Sequence, residues 1–347
     1  MSASEKPANE CSRATTSSIY RFDGSANPTL ARIVSETGRD GLDQGRHWKV
    51  VCYESGAERS DLPIFTSVPG ALSLEASRVI EASRIDAENI PGCFVLRDVL
   101  TRSECDRLVK MSETFGYTED APVSLARHIR QNENCVWIAD DELCNGIFER
   151  CKKLFPPEVQ GGEVCGLNAR WRLYKYGPQD IFRRHTDGSW PGSGLDRNGR
   201  LVRDVYGDRW SQLTFVLYLN DEFEGGPTRF FLPGPGGERV AEAKAPVGGA
   251  VCFFHGEHPL SPLHEGGLVT AGTKYIVRSD VLYKLPPRGK SSLQEAWQER
   301  YSRLPPNSIS PDMLRQMALI AQSGSPGQKA QLAAFLQQME QDDEDEQ

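Results

Sequence analysis

The sequence predicts an α+β fold: an antiparallel double sheet or barrel, preceded by helices that cover one sheet face. Three observations lead there. From about residue 167 to residue 283, short β-prone segments succeed one another without interleaved helices. Stretches rich in Gly, Pro, Asn and Asp, such as NDEFEGGP, separate them as turns. Ahead of this block, two segments carry helix start signals and helical-period apolar stripes.

Residues 1–18 are rich in Ser, Thr and Ala and offer nothing to bury, so disorder is expected. Residues 19–89 read as an N-terminal extension of unclear role, with turn signals between Gly38 and Gly45 and a strand in HWKVVCY (47–53). Residues 90–166 form a helical support. In it, IPGCFVLRDVL (90–100) is a strand leading to a helix opened by Thr101 and Glu104, a capping box. Leu100, Cys105, Leu108 and Val109 give that helix its apolar stripe. A second strand around Cys135 and Trp137 is followed by Asp140, which caps a helix carrying Leu143, Ile147, Phe148, Cys151 and Leu154. Arg130 and Asn132, just before that strand, read either as substrate contacts or as solvated loop residues.

The core, 167–284, has expected strands in NARWRLYKYG, FRRHTD, QLTFVLYLN, TRFFL, AVCFFH and KYIVRSDVLY. Between Trp190 and Trp210 a polar, glycine-rich stretch reads as a lid. Residues 285–347 form a helical C-terminal extension. Two of its helices open with Ser310-Pro311 and Ser325-Pro326, a cap followed by proline at the first helical position, and it ends in the acidic run DDEDE.

At 347 residues the chain can bury a substantial core, and 38% hydrophobic with 25% charged residues is an ordinary globular balance. A net charge of -8 argues against a general binder of nucleic acid or anionic membrane and favours peptide, protein or small-molecule partners. Nine cysteines without a C-x-x-C pair show neither a zinc module nor a disulfide framework, which fits reduced thiols. The N-terminus lacks the apolar core of a secretory signal, and no later run reaches membrane-spanning length. The expected location is therefore intracellular, cytoplasmic or nuclear.

His185 and Asp187 stand two apart, so on an extended strand both project from one face while Thr186 points away. An imidazole and a carboxylate converging on one point are two parts of a 2-His-1-carboxylate facial triad for non-haem Fe(II). The third ligand must come from a distant strand, where His255, His258 and His264 are candidates. The stretch after His264 favours that residue. A turn at Gly272 is expected to bring the chain straight back in a hairpin, on whose second strand Lys274, Ile276 and Arg278 share a face. A cation one hairpin beyond a metal-binding histidine suits an anionic co-substrate that chelates metal with one end and offers a carboxylate at the other. 2-Oxoglutarate is such a molecule.

With YGPQDIFRRHTDGS, QLTFVLYLNDEFEGGPTRFF, PVGGAVCFFH and HEGGLVTAGTKYIVRSDVLY in this order, the sequence resembles the Fe(II)/2-oxoglutarate-dependent dioxygenases, in particular the prolyl 4-hydroxylase type. The resemblance implies a double-stranded β-helix, or jelly-roll, core. It makes His185, Asp187 and His264 the iron ligands and Lys274 the anchor of the distal carboxylate of 2-oxoglutarate, assisted by Tyr176. Arg278 is implied as a second cation, touching the co-substrate or forming an internal ion pair. Thr214 and Thr228 lie on strands that line the cavity, as ordinary inward-facing residues or as contacts. The implied cofactors and co-substrates are Fe(II), 2-oxoglutarate, O2 and ascorbate; the implied reaction is hydroxylation with release of succinate and CO2. Asp187 speaks against a halogenase, whose site resembles this one with the carboxylate missing. The alternatives are a small-molecule oxygenase, in which the lid would close over the substrate, and a catalytically silent binding module. The absent secretory signal, the long lid and the N-terminal extension make collagen an improbable substrate.

Overall fold

The structure, a computed structural model, describes residues 47–56, 59–75, 81–121, 129–234 and 237–284. The expectations for residues 1–18, for 19–46 and for the helices and acidic tail of 285–347 lie outside the described residues.

Side-chain alternation sets the architecture. In the strand Arg209–Tyr218, Leu213, Phe215 and Leu217 enter one apolar cluster while Val216 and Tyr218 enter another. The same split divides Cys252 from Val251 and Phe253, Val277 from Ile276, and Leu173 from Tyr174 and Tyr176. These strands form the middle of one sheet, and each face of that sheet has its own core.

The large sheet runs in the order β1 (Trp48–Glu54), β2 (Leu62–Ser67), β5 (Glu133–Ile138), β8 (Arg170–Tyr176), β19 (Lys274–Lys284), β12 (Arg209–Tyr218), β16 (Ala250–Phe254), β4 (Phe94–Arg97) and β3 (Ser83–Asp86). Off this path, β7 (Gly162–Leu167) pairs with β19, and β6 (Glu158–Val159) pairs with β7. A smaller antiparallel sheet runs β15 (Gly237–Ala243), β14 (Thr228–Gly234), β17 (Leu263–Gly266) and β9 (Phe182–His185). Two ribbons complete the set: β10 (Gly194–Leu195) with β11 (Leu201–Val202), and β13 (Phe223–Gly225) with β18 (Val269–Gly272). From β8 onward the chain passes repeatedly between the sheets: β8, β12, β16 and β19 in the large one, β9, β14, β15 and β17 in the small one. Phe230 and Leu232 of the small sheet pack with Val216, Tyr218, Phe253 and Ile276 of the large one, so the sheets share an inner core.

The other face of the large sheet is covered by helices, as expected. Helix α1 (Arg102–Phe115) starts at the capping box of Thr101 and Glu104 and buries Cys105, Leu108, Met111 and Phe115. Helix α2 (Asp141–Cys151) starts at Asp140, whose side chain accepts from the Leu143 amide, and buries Leu143, Ile147, Phe148 and Cys151. Glu104 does more than cap. Its buried carboxylate accepts from the amides of Thr101 (2.8 Å) and Glu75 (2.7 Å) and from both terminal nitrogens of Arg150 on α2, each at 2.8 Å. Arg150→Met therefore leaves a buried carboxylate without its cation, and the expected loss is about 3 kcal/mol. Denaturant unfolding monitored by circular dichroism checks it.

Two expectations need correction. Gly272 does turn the chain, with φ 74°, but β18 pairs with β13 and β19 lies between β8 and β12, so no hairpin forms. The cause is the apolar outer row of β19, Val277 and Val281, which is buried only when that strand is central in the large sheet. The stretch 190–210 is also not a loose lid. Its ribbon β10–β11 packs Leu195 and Leu201 against the helix-side core, and Asn168 binds both the Pro191 carbonyl and the Ser193 amide at 3.1 Å. No helix of the described residues is long and apolar enough to cross a membrane, and the described cysteines are free.

Candidate metal centre and its surroundings

Register brings the two separated histidines together. His185 ends β9 and His264 lies in β17, and their Cα atoms are direct partners across the two strands. Asp187 lies two residues beyond the end of β9. Nε2 of His185 lies 3.8 Å from Asp187 Oδ1, and Nε2 of His264 lies 3.5 Å from Asp187 Oδ2. One donor atom from each residue falls within 4.8 Å of the other two, and all three side chains are buried. Among the described residues, no other such group of His, Cys, Asp and Glu occurs.

The donors are prepared for a cation. His185 Nδ1 sits 2.8 Å from the Arg183 carbonyl and His264 Nδ1 sits 3.1 Å from the Pro262 carbonyl. A carbonyl only accepts, so each Nδ1 carries the proton and each Nε2 presents a lone pair. Burial, foremost, keeps both imidazoles neutral: it takes His185 down to about 3, with His264 adding to the effect, and it lowers His264 as well. For Asp187 burial works the other way, but Arg278 and the histidines outweigh it and hold the carboxyl below its usual range. Neutral imidazoles with an ionised carboxylate are the protonation states a divalent metal requires. The donor set fits Fe(II).

A chain of hydrogen bonds orients Asp187. Thr214 donates to its Oδ2 at 2.7 Å and lies 2.9 Å from His255 Nδ1, while His255 Nε2 lies 2.9 Å from Ser211 Oγ, which accepts from the Trp190 amide at 2.8 Å. Since Thr214 spends its proton on Asp187, His255 Nδ1 must donate to Thr214, and Ser211 then donates to His255 Nε2. Both nitrogens of His255 are engaged in this relay, which removes it as a ligand. His258 stacks on Phe254 at 3.7 Å and is not part of the cluster. On the other side, Arg278 Nη2 lies 3.3 Å from Asp187 Oδ1 and 3.2 Å from Asp280 Oδ1, so its internal ion pairs are made. Thr214→Val keeps the shape and deletes the donor. It is expected to weaken metal about 10- to 100-fold at unchanged stoichiometry, as measured by competition with a chelator.

Lys274 lies at the other end of the inner face. It is 2% exposed, and its Nζ donates to the Gly226 carbonyl at 2.6 Å. Aromatic rings surround it: Tyr218 at 4.9 Å, Tyr176 at 5.3 Å and Phe223 at 5.9 Å from Nζ to centroid. No carboxylate of the described residues pairs with it. Burial, and secondarily the charge of Lys244, lowers it to about 7. Tyr176 is its direct cross-strand partner, and burial keeps that phenol protonated. Lys274 and Arg278 share a strand face four residues apart, which at the rise of an extended strand is about 13 Å. Ile276 between them, with Val216 and Tyr174, makes an apolar floor.

The remaining residues singled out from sequence also point inward. Thr228 Oγ1 lies 3.1 Å from the Tyr218 hydroxyl. Arg130 and Asn132 are buried, not solvated: Arg130 Nε donates to Asn132 Oδ1 at 3.0 Å, its guanidinium lies over Tyr174 at 4.3 Å, and it also bonds Asn134 Oδ1. Sequence reasoning missed the roles of Ser211, His255 and the Gly226 carbonyl. It also passed over Arg172, which alternation alone would have set beside Tyr174 and Tyr176.

Fold and site together define a protein of two facing sheets, one wholly antiparallel and one antiparallel but for the β2–β5 pair, with a buried His-Asp-His cluster able to hold a metal ion and a buried lysine beyond it. No family model matches the chain. Among curated proteins it is similar to the "Putative prolyl 4-hydroxylase" of Acanthamoeba polyphaga mimivirus, with 24% identity over 195 residues, 53% of this chain and 71% of that protein. Solved structures to which it is similar include the viral collagen prolyl hydroxylase of Paramecium bursaria Chlorella virus-1 in complex with 2-oxoglutarate. That match has 17% identity and a TM-score of 0.36, covering 59% of this chain and 97% of that one. A prolyl-4-hydroxylase of Pseudomonas putida matches with 17% identity and a TM-score of 0.36, covering 56% and 94%. The chain is thus similar to proteins of the prolyl 4-hydroxylase type, in agreement with the resemblance of its motifs.

Proposed function

We propose that the chain is an Fe(II)- and 2-oxoglutarate-dependent dioxygenase that hydroxylates a C–H bond of a peptidyl, prolyl-type substrate. One observation carries the reading: a buried lysine with no carboxylate partner among the described residues and a three-residue His-Asp-His cluster able to hold a metal ion lie at opposite ends of one apolar inner face. The eight strands that pass between the two sheets are read as a jelly roll with the site between its layers. In this reading His185, Asp187 and His264 hold the iron. When bound, iron supplies the oxygen chemistry in which substrate C–H, 2-oxoglutarate and O2 become C–OH, succinate and CO2. Lys274 takes the distal carboxylate of 2-oxoglutarate, with Tyr176 beside it. Arg278 and Thr214 hold Asp187 in place, and Val216, Phe230, Phe253 and Ile276 exclude water from the oxidant. The sequence similarity to a prolyl 4-hydroxylase supports peptidyl proline as the substrate class.

The test is anaerobic addition of Fe(II) and then 2-oxoglutarate, watching for the metal-to-ligand charge-transfer absorption of the chelated keto acid. A folded, iron-loaded protein that shows no such band overturns the assignment. Screening proline-containing peptides and acidic metabolites for stimulated succinate release, with ascorbate present, then addresses the substrate.

A further inference from the structure

The inner face of the large sheet carries one more cation. Arg172 on β8 is in phase with Tyr174 and Tyr176, whose rings lie in the inner core, and its Cα is the direct partner of Arg278. Two arginines therefore stand side by side at the level of the metal cluster. Arg278 is answered by Asp187 and Asp280, and the neighbouring Arg170 by Glu54 at 2.6 Å. Arg172 makes no hydrogen bond or ion pair among the described residues; its guanidinium lies 5.2 Å from the centroid of the Trp190 ring. Trp190 also has an unsatisfied group, since its Nε1 is buried without an acceptor.

The position of Trp190 is not accidental. It stands three residues beyond Asp187, and its amide anchors on Ser211, the first member of the relay that ends on the Asp187 carboxylate. A guanidinium that the Asp280 carboxylate acts on only at a distance, with no anion bonded to it among the described residues, and an indole N–H without an acceptor lie beside one another and lack the same thing. That is an acceptor carrying negative charge. In the dioxygenase reading Lys274 takes the far carboxylate of the co-substrate at the opposite end of the inner face, so the Arg172–Trp190 pair is left for a different ligand.

We propose that Arg172 and Trp190 form a carboxylate-receiving wall beside the metal cluster, so that the substrate carries an acidic group near the carbon to be oxidised. The inference rests on the dioxygenase reading and refines its substrate. The acid can be a peptide side chain or belong to a free small molecule; both offer the same planar acceptor to a guanidinium fork.

The test uses full-length protein loaded with Mn(II) and 2-oxoglutarate, without oxygen, and two matched pairs of probes in calorimetric titration. One pair is acetyl-Asp-Pro-amide and acetyl-Asn-Pro-amide; the other is N-acetylaspartate and N-acetylasparagine. A charge-assisted pair predicts about tenfold tighter binding of the acid over its amide in at least one pair, and which pair shows it identifies peptide or small molecule. Arg172→Gln should bring acid and amide within about twofold, Arg172→Lys should restore part of the preference, and the affinity for 2-oxoglutarate should stay at the wild-type value. Equal binding of acid and amide by the wild-type protein in both pairs overturns the proposal. So does a loss of 2-oxoglutarate affinity in Arg172→Gln, which would assign the arginine to the co-substrate. The charge-transfer band separates the two levels: its presence with no acid preference sinks only this proposal, while its absence sinks the dioxygenase reading beneath it.

Discussion

His264→Ala is expected to abolish tight metal binding while the protein remains folded. The fold keeps its strands because, among the described residues, the hydrogen bond of the His264 side chain is the local one to the Pro262 carbonyl. What the truncation leaves is a cavity beside Phe253, whose ring lies 4.6 Å from the imidazole, and beside Phe230 at 6.0 Å. The inner core tolerates this at a cost of a few kcal/mol. The metal does not tolerate it. Altering groups that merely support a ligand weakens metal by about 10- to 100-fold, so deleting one of three ligands should exceed that range. Iron per protein after dialysis, read beside the thermal melt, checks both halves. His255→Ala is the informative control. It breaks the relay to Asp187 but removes no ligand, so iron should be weakened and still bind at one per chain at saturation. Equal loss in the two variants would mean that His264 acts as a support and that the cluster is not a metal site.

Much of this site was legible in the sequence because its chemistry is local in two places. Two-residue spacing put His185 and Asp187 on one point, and alternation in KYIVRSDVLY put Lys274 and Arg278 on one face; the structure keeps both. The capping signals at Thr101 and Asp140 located both described helices, since a cap satisfies amides within its own turn and needs no distant partner. Pairing was not legible. The hairpin expected at Gly272 failed because the turn determines where the chain reverses, while the apolar row of Val277 and Val281 determines which sheet receives it. Strands such as Gly237–Ala243, whose side chains are largely exposed, carry no buried row to announce them. The orientation of Asp187 was also hidden. It depends on Thr214 and Ser211 of one strand of the large sheet and on His255, the residue that follows the neighbouring strand, and these meet only in three dimensions.

Lys274→Met should weaken 2-oxoglutarate about a hundredfold and leave iron untouched, and the wild-type protein should show a pH dependence that the variant lacks. Removing one partner of a buried charge pair costs about 2–5 kcal/mol of binding, which sets the size of the loss. The ammonium has no described carboxylate to lean on, so methionine, of similar length and without charge, places no new strain on the rings of Tyr176, Tyr218 and Phe223. Stability should hold or rise, as when a buried charge gives way to an apolar side chain. The sign of the pH effect comes from the depressed value of about 7, set first by burial and then by Lys244. Below it the free protein already holds the ammonium that a carboxylate needs, and affinity is flat. Above it the lysine is neutral before binding and must take up a proton when the dianion arrives, so the dissociation constant rises by about tenfold per pH unit. The rise ends at the higher pKa that the bound carboxylate imposes on the lysine. Titrating 2-oxoglutarate into the Mn(II)-loaded protein between pH 6 and 9 reads this slope directly. A flat profile in the wild type, or an equal slope in Lys274→Met, would place the distal carboxylate on another cation.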